Sequence, residues 1–253
     1  MSNLPSPLLA MLVMVIAFLY ASVGFGGASG YLAVMSQFGI SPELMASTAL
    51  ILNIVVASIS FFNYARAGHL RKALLWPFLL TSVPTAFLGG YFKLHADVYF
   101  ILLYAVLTYV MLRMLFARPE TQAGTESLRP FPLWLALTCG AGIGLLSGMV
   151  GIGGGIFLSP LIILAHWGTP KQAAATAAGF IVLNSISGLV GRALGGNFVL
   201  GIFGATLVPL GIIGALTGSY LGARKFSSLW MRRILGVVLL IAVVNFWIGY
   251  FGK

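Results

Sequence analysis

GMVGIGGGIFLSPL, Gly148 to Leu161, holds glycines at 148, 151, 153, 154 and 155 inside apolar sequence and closes on Ser159-Pro160. Glycine is the poorest helix former after proline, so a helix arriving here is expected to break. The composition decides whether that break lies in water or in lipid. The 253 residues are 60% hydrophobic and 7% charged, where a soluble domain carries roughly 25% charged residues. Too few polar side chains remain to coat a globule, and the chain reads as an all-α polytopic membrane protein.

A spanning helix takes about 20 apolar residues, because the hydrocarbon is about 30 Å thick and each residue rises about 1.5 Å. Apolar runs occur at about 8–23, 28–38, 44–62, 73–92 and 98–116. After the polar stretch RPETQAGTESLRP (Arg118–Pro130) they resume at about 131–150, 154–166, 172–191, 200–222 and 230–251. The two sets of five correspond. VGFGG (Val23–Gly27) matches VGIGG (Val150–Gly154), and IVVASIS (Ile54–Ser60) matches IVLNSIS (Ile181–Ser187), both at an offset of 127. GISPELMAST (Gly39–Thr48) faces GTPKQAAAT (Gly168–Thr176), and VPTAFLGG from Val83 faces VPLGIIGA from Val208. The chain divides into a first transmembrane repeat over 1–117, a polar cytoplasmic linker over 118–130 and a second repeat over 131–253.

An odd number of crossings per unit makes the second copy enter the membrane from the other side, so five segments imply inverted-topology repeats. The basic residues agree with this. With the N-terminus outside, eleven of the fourteen Lys and Arg fall in cytoplasmic loops, leaving Lys93, Arg192 and Lys253 outside. The rival count joins each short second run to the run before it, giving four crossings per half. It leaves six basic residues outside against eight inside, a worse fit to the positive-inside rule. The expected location is the cytoplasmic (inner) membrane. LYASV offers a small-residue cleavage site after the first run, but no basic segment precedes it and the repeat supplies a retained counterpart at 131–150, so it reads as a structural helix.

The net charge of +10, from fourteen basic and four acidic residues, is loop charge under this reading, with anionic lipid headgroups as its partner. No basic stripe with interleaved aromatics points to nucleic acid. Cys139, the single cysteine, forms no intrachain disulfide. His69, His95 and His166 sit at segment ends at a spacing that fits no metal site, and no cofactor motif is present.

The second run of each half is about a dozen residues, which as helix reach only about 18 Å. A helix end at membrane depth exposes backbone N–H groups that lipid leaves unpaired. Where such an end lines a cavity, its N–H groups and positive dipole attract an anion, and glycine lets the ligand come close. Gly26, Gly27, Gly153, Gly154 and Gly155 are the candidates for this role. Gly140, Gly144 and Gly148, like Gly214, Gly218 and Gly222, keep small-xxx-small spacing and read instead as helix-packing positions.

The duplicated Gly-x-Gly-Gly, its second copy running on as GIGGGIFLSPLIIL (Gly151–Leu164) in a predominantly apolar chain of 253 residues, resembles the TauE/SafE sulfite exporter family, also called 4-toluene sulfonate uptake permeases. The likeness spans nearly the whole chain, although GFGGASGYLAVM in the first half lacks the proline of the second copy. It implies a transporter of small sulfur oxoanions such as sulfite or organosulfonates.

Polar side chains inside apolar runs are costly without partners, so Ser29, Thr48, Asn53, Thr176, Asn184 and Ser185 are candidate substrate contacts. The ordinary alternative for the hydroxyls is a bond back to their own helix, from which Asn53 and Asn184 are expected to be excluded. Arg66 in YARAG and Arg192 in GRALGG stand just past the third segment of each half, as anion-neutralising residues or as arginines snorkelling to headgroups. No Asp or Glu lies within an apolar run, so a proton coupled to transport must ride on the substrate or on a histidine. Alternating access around a midplane anion is the expected mechanism, and a homo-oligomer is compatible with it. Another small organic anion such as a carboxylate would suit the same helix ends. A membrane-embedded enzyme would need a nucleophile with a base, or a metal cluster, and neither is visible.

Overall fold

The computed structural model describes residues 4–116, 132–224 and 228–251. The expected linker 118–130 lies outside them. Ten helices order the described chain: α1 (Pro7–Ser22), α2 (Ala28–Gln37), α3 (Pro42–Arg66), α4 (Lys72–Tyr91), α5 (Ala96–Leu115), α6 (Leu133–Val150), α7 (Gly155–Leu164), α8 (Pro170–Leu194), α9 (Gly201–Arg224) and α10 (Ser228–Phe251). They match the apolar runs one for one. Six of them, α3, α4, α5, α6, α8 and α9, contain stretches long and apolar enough to cross a membrane.

Local sequence sets the helix ends. Pro7, Pro42 and Pro170 stand at first helical positions, where a missing N–H is no loss. Thr169 and Gln172 form a reciprocal capping box at the start of α8. Acids and bases follow the helix dipole: Glu43 opens α3, Asp97 opens α5, and Arg66 and Arg192 close α3 and α8.

Packing rests on close backbone approach. A Cβ added at Gly140, Gly144 or Gly148 of α6 would overlap the Phe78, Ser82 or Ala86 carbonyl of α4. One added at Gly214 or Gly218 of α9 would overlap the Met14 or Phe18 carbonyl of α1. These are the packing glycines of small-xxx-small spacing, and Gly222, the third of the second set, lies outside the described packing. Hydroxyls lace the same seams: Thr81 and Thr85 of α4 donate to the Leu137 and Ala141 carbonyls of α6 at 2.7 and 2.9 Å, and Ser187 of α8 donates to the Val83 carbonyl at 2.6 Å.

The pairings come in exchanged sets. α4 packs on α6 and on α8, α9 on α1 and on α3, α2 on α3 as α7 on α8, while α3 meets α8 and α5 meets α10. The α3 and α8 helices run antiparallel: Gly188 lies near Leu50, Gly179 against Phe61, and Ala174 beside Tyr64. By contrast α4 and α8 run parallel, since Gly191 and Gly195 meet the Phe87 and Tyr91 carbonyls.

Candidate functional site: two helix breaks joined by one asparagine

Helical hydrogen bonding stops in both glycine stretches, at 23–27 between α1 and α2 and at 151–154 between α6 and α7. Each upstream helix ends on a left-handed glycine, Gly24 at φ +85° and Gly151 at φ +88°. The next amide then turns back into the helix, from Phe25 to the Tyr20 carbonyl at 2.9 Å and from Ile152 to the Ser147 carbonyl at 3.2 Å. This is the glycine C-cap that a side chain's Cβ would oppose. Each downstream helix starts on a second left-handed glycine, Gly27 or Gly154. Both stretches are buried.

Asn53, fully buried in α3, touches both. Its Oδ1 accepts from the Ala28 amide at 3.1 Å, and its Nδ2 donates to the Ile152 carbonyl at 2.9 Å and to Ser185 Oγ at 3.5 Å. A Cβ on Gly26 would overlap Asn53 Oδ1, and one on Gly153 would stand 2.6 Å from Asn53 Nδ2 and 2.9 Å from Ser185 Oγ. Ile181 closes against Gly26, Gly153 and Gly155 alike. The structure therefore brings Gly26, Gly27, Asn53, Gly153, Gly154, Gly155 and Ser185 together.

The two breaks differ in how their new helices begin. At the first, Asn53 caps Ala28, the Tyr20 hydroxyl bonds Ser29 Oγ at 2.6 Å and faces the Gly30 amide, and the Tyr31 ring covers Gly27. At the second, the amides of Gly153, Gly154, Gly155 and Ile156 find no acceptor among the described residues; at the first, those of Gly26, Gly27 and Ser29 find none either, and Tyr31 Oη is buried without a partner. The repeat explains the difference, because at an offset of 127 Phe180 occupies the place of Asn53 and Ser147 the place of Tyr20. The Phe180 ring edge lies 2.9 Å from where a Gly154 Cβ would stand, and the Ser147 Cβ lies at 3.4 Å. Sequence reading missed Tyr20 and Ser147; the 127-residue offset pairs the two positions, but the contact of Tyr20 with Ser29 that singles them out is visible only in the fold.

The remaining candidates lie around this centre or apart from it. Asn184 follows Phe180 by one turn, and its Nδ2 donates to the Phe180 carbonyl at 2.8 Å. This corrects the expectation that the amide has no local escape: an Asn side chain on a helix reaches the carbonyl four residues back much as a hydroxyl does. Its Oδ1 stays buried and without a partner, as do Thr176 Oγ1, Thr48 Oγ1 and Ser147 Oγ. Thr48 faces Gly204 of α9. Arg66 is exposed at the end of α3.

Arg192, 6% exposed, donates from Nη2 to the Met149 and Gly148 carbonyls at 2.7 and 3.2 Å. Tyr99 donates to the Val150 carbonyl at 3.1 Å. The last carbonyls of α6, which a helix end leaves unpaired, are thus held just ahead of the second break. Arg192 opens onto a cleft it shares with Lys93, Glu43, Tyr99 and Asn197, in which Lys93 Nζ and Glu43 Oε1 pair at 3.1 Å. Among the described residues no group of three His, Cys, Asp or Glu gathers as a metal site.

Residues 9–246 match the family model described as sulfite exporter TauE/SafE. The probable membrane transporter protein y4hK of Sinorhizobium fredii is 35% identical over 235 residues, covering 92% of this chain and 95% of that one. The probable membrane transporter protein YunE of Bacillus subtilis is 26% identical over 236 residues, covering 83% and 84%. No solved structure matches the chain.

Proposed function

Because this chain belongs to the TauE/SafE family of sulfite exporters and is a multi-pass membrane transporter rather than an enzyme, we propose that it carries a small sulfur oxoanion, sulfite or an organosulfonate, held where the two helix breaks meet. The buried, unpaired amides of Gly153 to Ile156 carry this reading. Unpaired N–H groups at a helix start inside a membrane protein are costly alone, and an anion is the partner whose charge also suits the dipole. Gly26 and Gly153 keep side chains out of the space around Asn53, and Ser185 adds a hydroxyl there. Thr176 and Asn184 stand on the same α8 helix, while Ser29 and Thr48 belong to the first half of the site.

The transporter is built, in this reading, of two inverted repeats in the cytoplasmic membrane with the N-terminus outside. The antiparallel course of α3 and α8 supports it, since four crossings per half would make these equivalent helices parallel. The exchanged helix pairings support it as well. Arg192 and Lys93 then give the outer mouth a positive lining, and Arg66 does the same at the inner end. Rocking of one repeat against the other about Asn53 alternates access to the anion.

Purified protein in proteoliposomes tests the reading by uptake of radiolabelled sulfite, an organosulfonate and acetate. Saturable uptake of the sulfur anions, absent from empty vesicles, is expected. Uptake of acetate alone would shift the assignment to a carboxylate carrier.

A further inference from the structure

Away from the two breaks, charge gathers in the cleft where the start of α3, the turn between α4 and α5 and the end of α8 meet, lined by Glu43, Lys93 and Arg192. Arg192 is its fixed cation, 6% exposed and tied through Nη2 to the Gly148 and Met149 carbonyls. Its Nε is enclosed without a partner, whereas Nη1 is neither bonded among the described residues nor enclosed, and so is the nitrogen turned to the cleft. Tyr99 and Asn197 in the same wall have their donors committed, to the Val150 carbonyl at 3.1 Å and the Tyr91 carbonyl at 2.9 Å. Lys93 is the movable cation: its side chain is 68% exposed, and Nζ meets Glu43 Oε1 at 3.1 Å.

Glu43 pairs with Lys93 and not with Arg192, which has no carboxylate within ion-pair distance among the described residues. A nearly buried guanidinium bonded only to carbonyls keeps its full charge uncompensated at short range, and a small anion is what compensates it. Glu43 stands close enough to compete for that place, yet it is held weakly. An ion pair this exposed is worth about fivefold at most in an equilibrium constant. Released from Lys93, Glu43 is not stranded, because it lies in the first turn of α3, where the helix dipole favours a negative charge, and its carboxylate faces its own backbone amide. An oxoanion with two charged oxygens spans both cations, which Glu43 does not.

We infer that this cleft is a second oxoanion site, in which the ligand's oxygens bridge Arg192 Nη1 and Lys93 Nζ and displace Glu43, a tethered anion that occupies Lys93 in the ligand's absence. This rests on the reading of the chain as an oxoanion carrier. Sulfite and organosulfonates both present the oxygens it needs. The guanidinium that faces the cleft also holds the last carbonyls of α6, just ahead of Gly151, so the site adjoins the second break and is the step before it.

The test is the KM of sulfite uptake into proteoliposomes for the wild type, Glu43→Gln and Lys93→Gln. Lys93→Gln should raise KM about threefold or more, through loss of a bond to a charged group. Glu43→Gln, which removes the competitor and keeps the side chain's size, should lower KM about threefold. An ion pair with a merely structural role shifts KM the same way in both variants. A second readout is independent of turnover: in a Cys139→Ser background, Phe92→Cys on the cleft wall should react several-fold more slowly with N-ethylmaleimide in saturating ethanesulfonate, and Lys93→Gln should remove that protection. KM unmoved or moved in one direction by both variants, or no protection at 92, overturns the inference and leaves the oxoanion reading of the helix breaks standing. Wild-type protein inert toward sulfite and organosulfonates overturns both.

Discussion

The side chain of Asn53 in the first half of the chain donates to the backbone carbonyl of Ile152 in the second, at 2.9 Å and 99 residues apart. With its Oδ1 on the Ala28 amide, this one carboxamide satisfies a donor from one helix break and an acceptor from the other. Asn53→Ala strands both in a buried place, at about 1–3 kcal/mol each. A fall of several degrees in the melting temperature of detergent-purified protein is expected, together with loss of transport. An unchanged melting temperature would show that the two breaks do not depend on this bridge.

Two left-handed glycines separate the cost of backbone conformation from the cost of filling the site. Gly154 (φ +77°) has Ile143 and Phe180 within 2.9 Å of an added Cβ, whereas Gly196 (φ +70°) has open space. Alanine at either position meets the left-handed penalty of about 1–2 kcal/mol. Only at 154 does it also crowd the amides proposed to meet the anion. Gly154→Ala should cut sulfite uptake more than about tenfold, and Gly154→Leu should abolish it with membrane insertion intact, while Gly196→Ala keeps most of the rate. Equal losses at 154 and 196 would reduce the glycine break to a backbone effect.

The ten segments and both breaks were legible in the sequence because each is a local signal: apolar length for α1 to α10, and glycines at 24, 26, 27 and 151, 153, 154 for the interruptions. Duplication made the second set readable from the first. What stayed hidden depends on contacts between distant parts of the chain. Nothing near Arg192 announces that it holds the Gly148 and Met149 carbonyls, so it read as an anion-neutralising residue or an arginine snorkelling to headgroups. Asn53 stood out as a buried amide, yet its bond to Ile152 required the two halves to be docked. Asn184 was misjudged for the opposite reason, since its bond to Phe180 is local.

Gly142 and Gly144 lie two residues apart on α6 and face different surroundings. A Cβ at Gly144 would overlap the Ser82 carbonyl of α4, whereas one at Gly142 meets nothing within 4 Å. Gly144→Ala therefore forces the helices apart and should destabilise the protein by about 1–3 kcal/mol. Gly142→Ala removes a poor helix former and should be neutral or stabilising by up to about 1 kcal/mol. Thermal melts of the two variants in one detergent decide it, and a melting point lowered as much by the 142 change as by the 144 change would disprove the close α4–α6 seam.

Three single cysteines, placed in a Cys139→Ser background, read the direction of the repeats. With five segments per half and the N-terminus outside, Gln122 in the linker and the exposed Lys171 at the start of α8 face the cytoplasm, and Phe198 before α9 faces outward. The four-crossing arrangement keeps Gln122 inside but exchanges the other two, because its second half repeats the orientation of its first. Gln122 thus checks the positive-inside assignment, and the pair Lys171 and Phe198 checks the inversion. A membrane-impermeant thiol reagent added to intact cells should modify Phe198→Cys and spare Gln122→Cys and Lys171→Cys until the cells are opened. Labelling of Lys171→Cys in intact cells, with Phe198→Cys protected, would make the halves parallel repeats. That result is hard to reconcile with the antiparallel course of α3 and α8, where Gly179 meets Phe61 and Gly188 lies near Leu50.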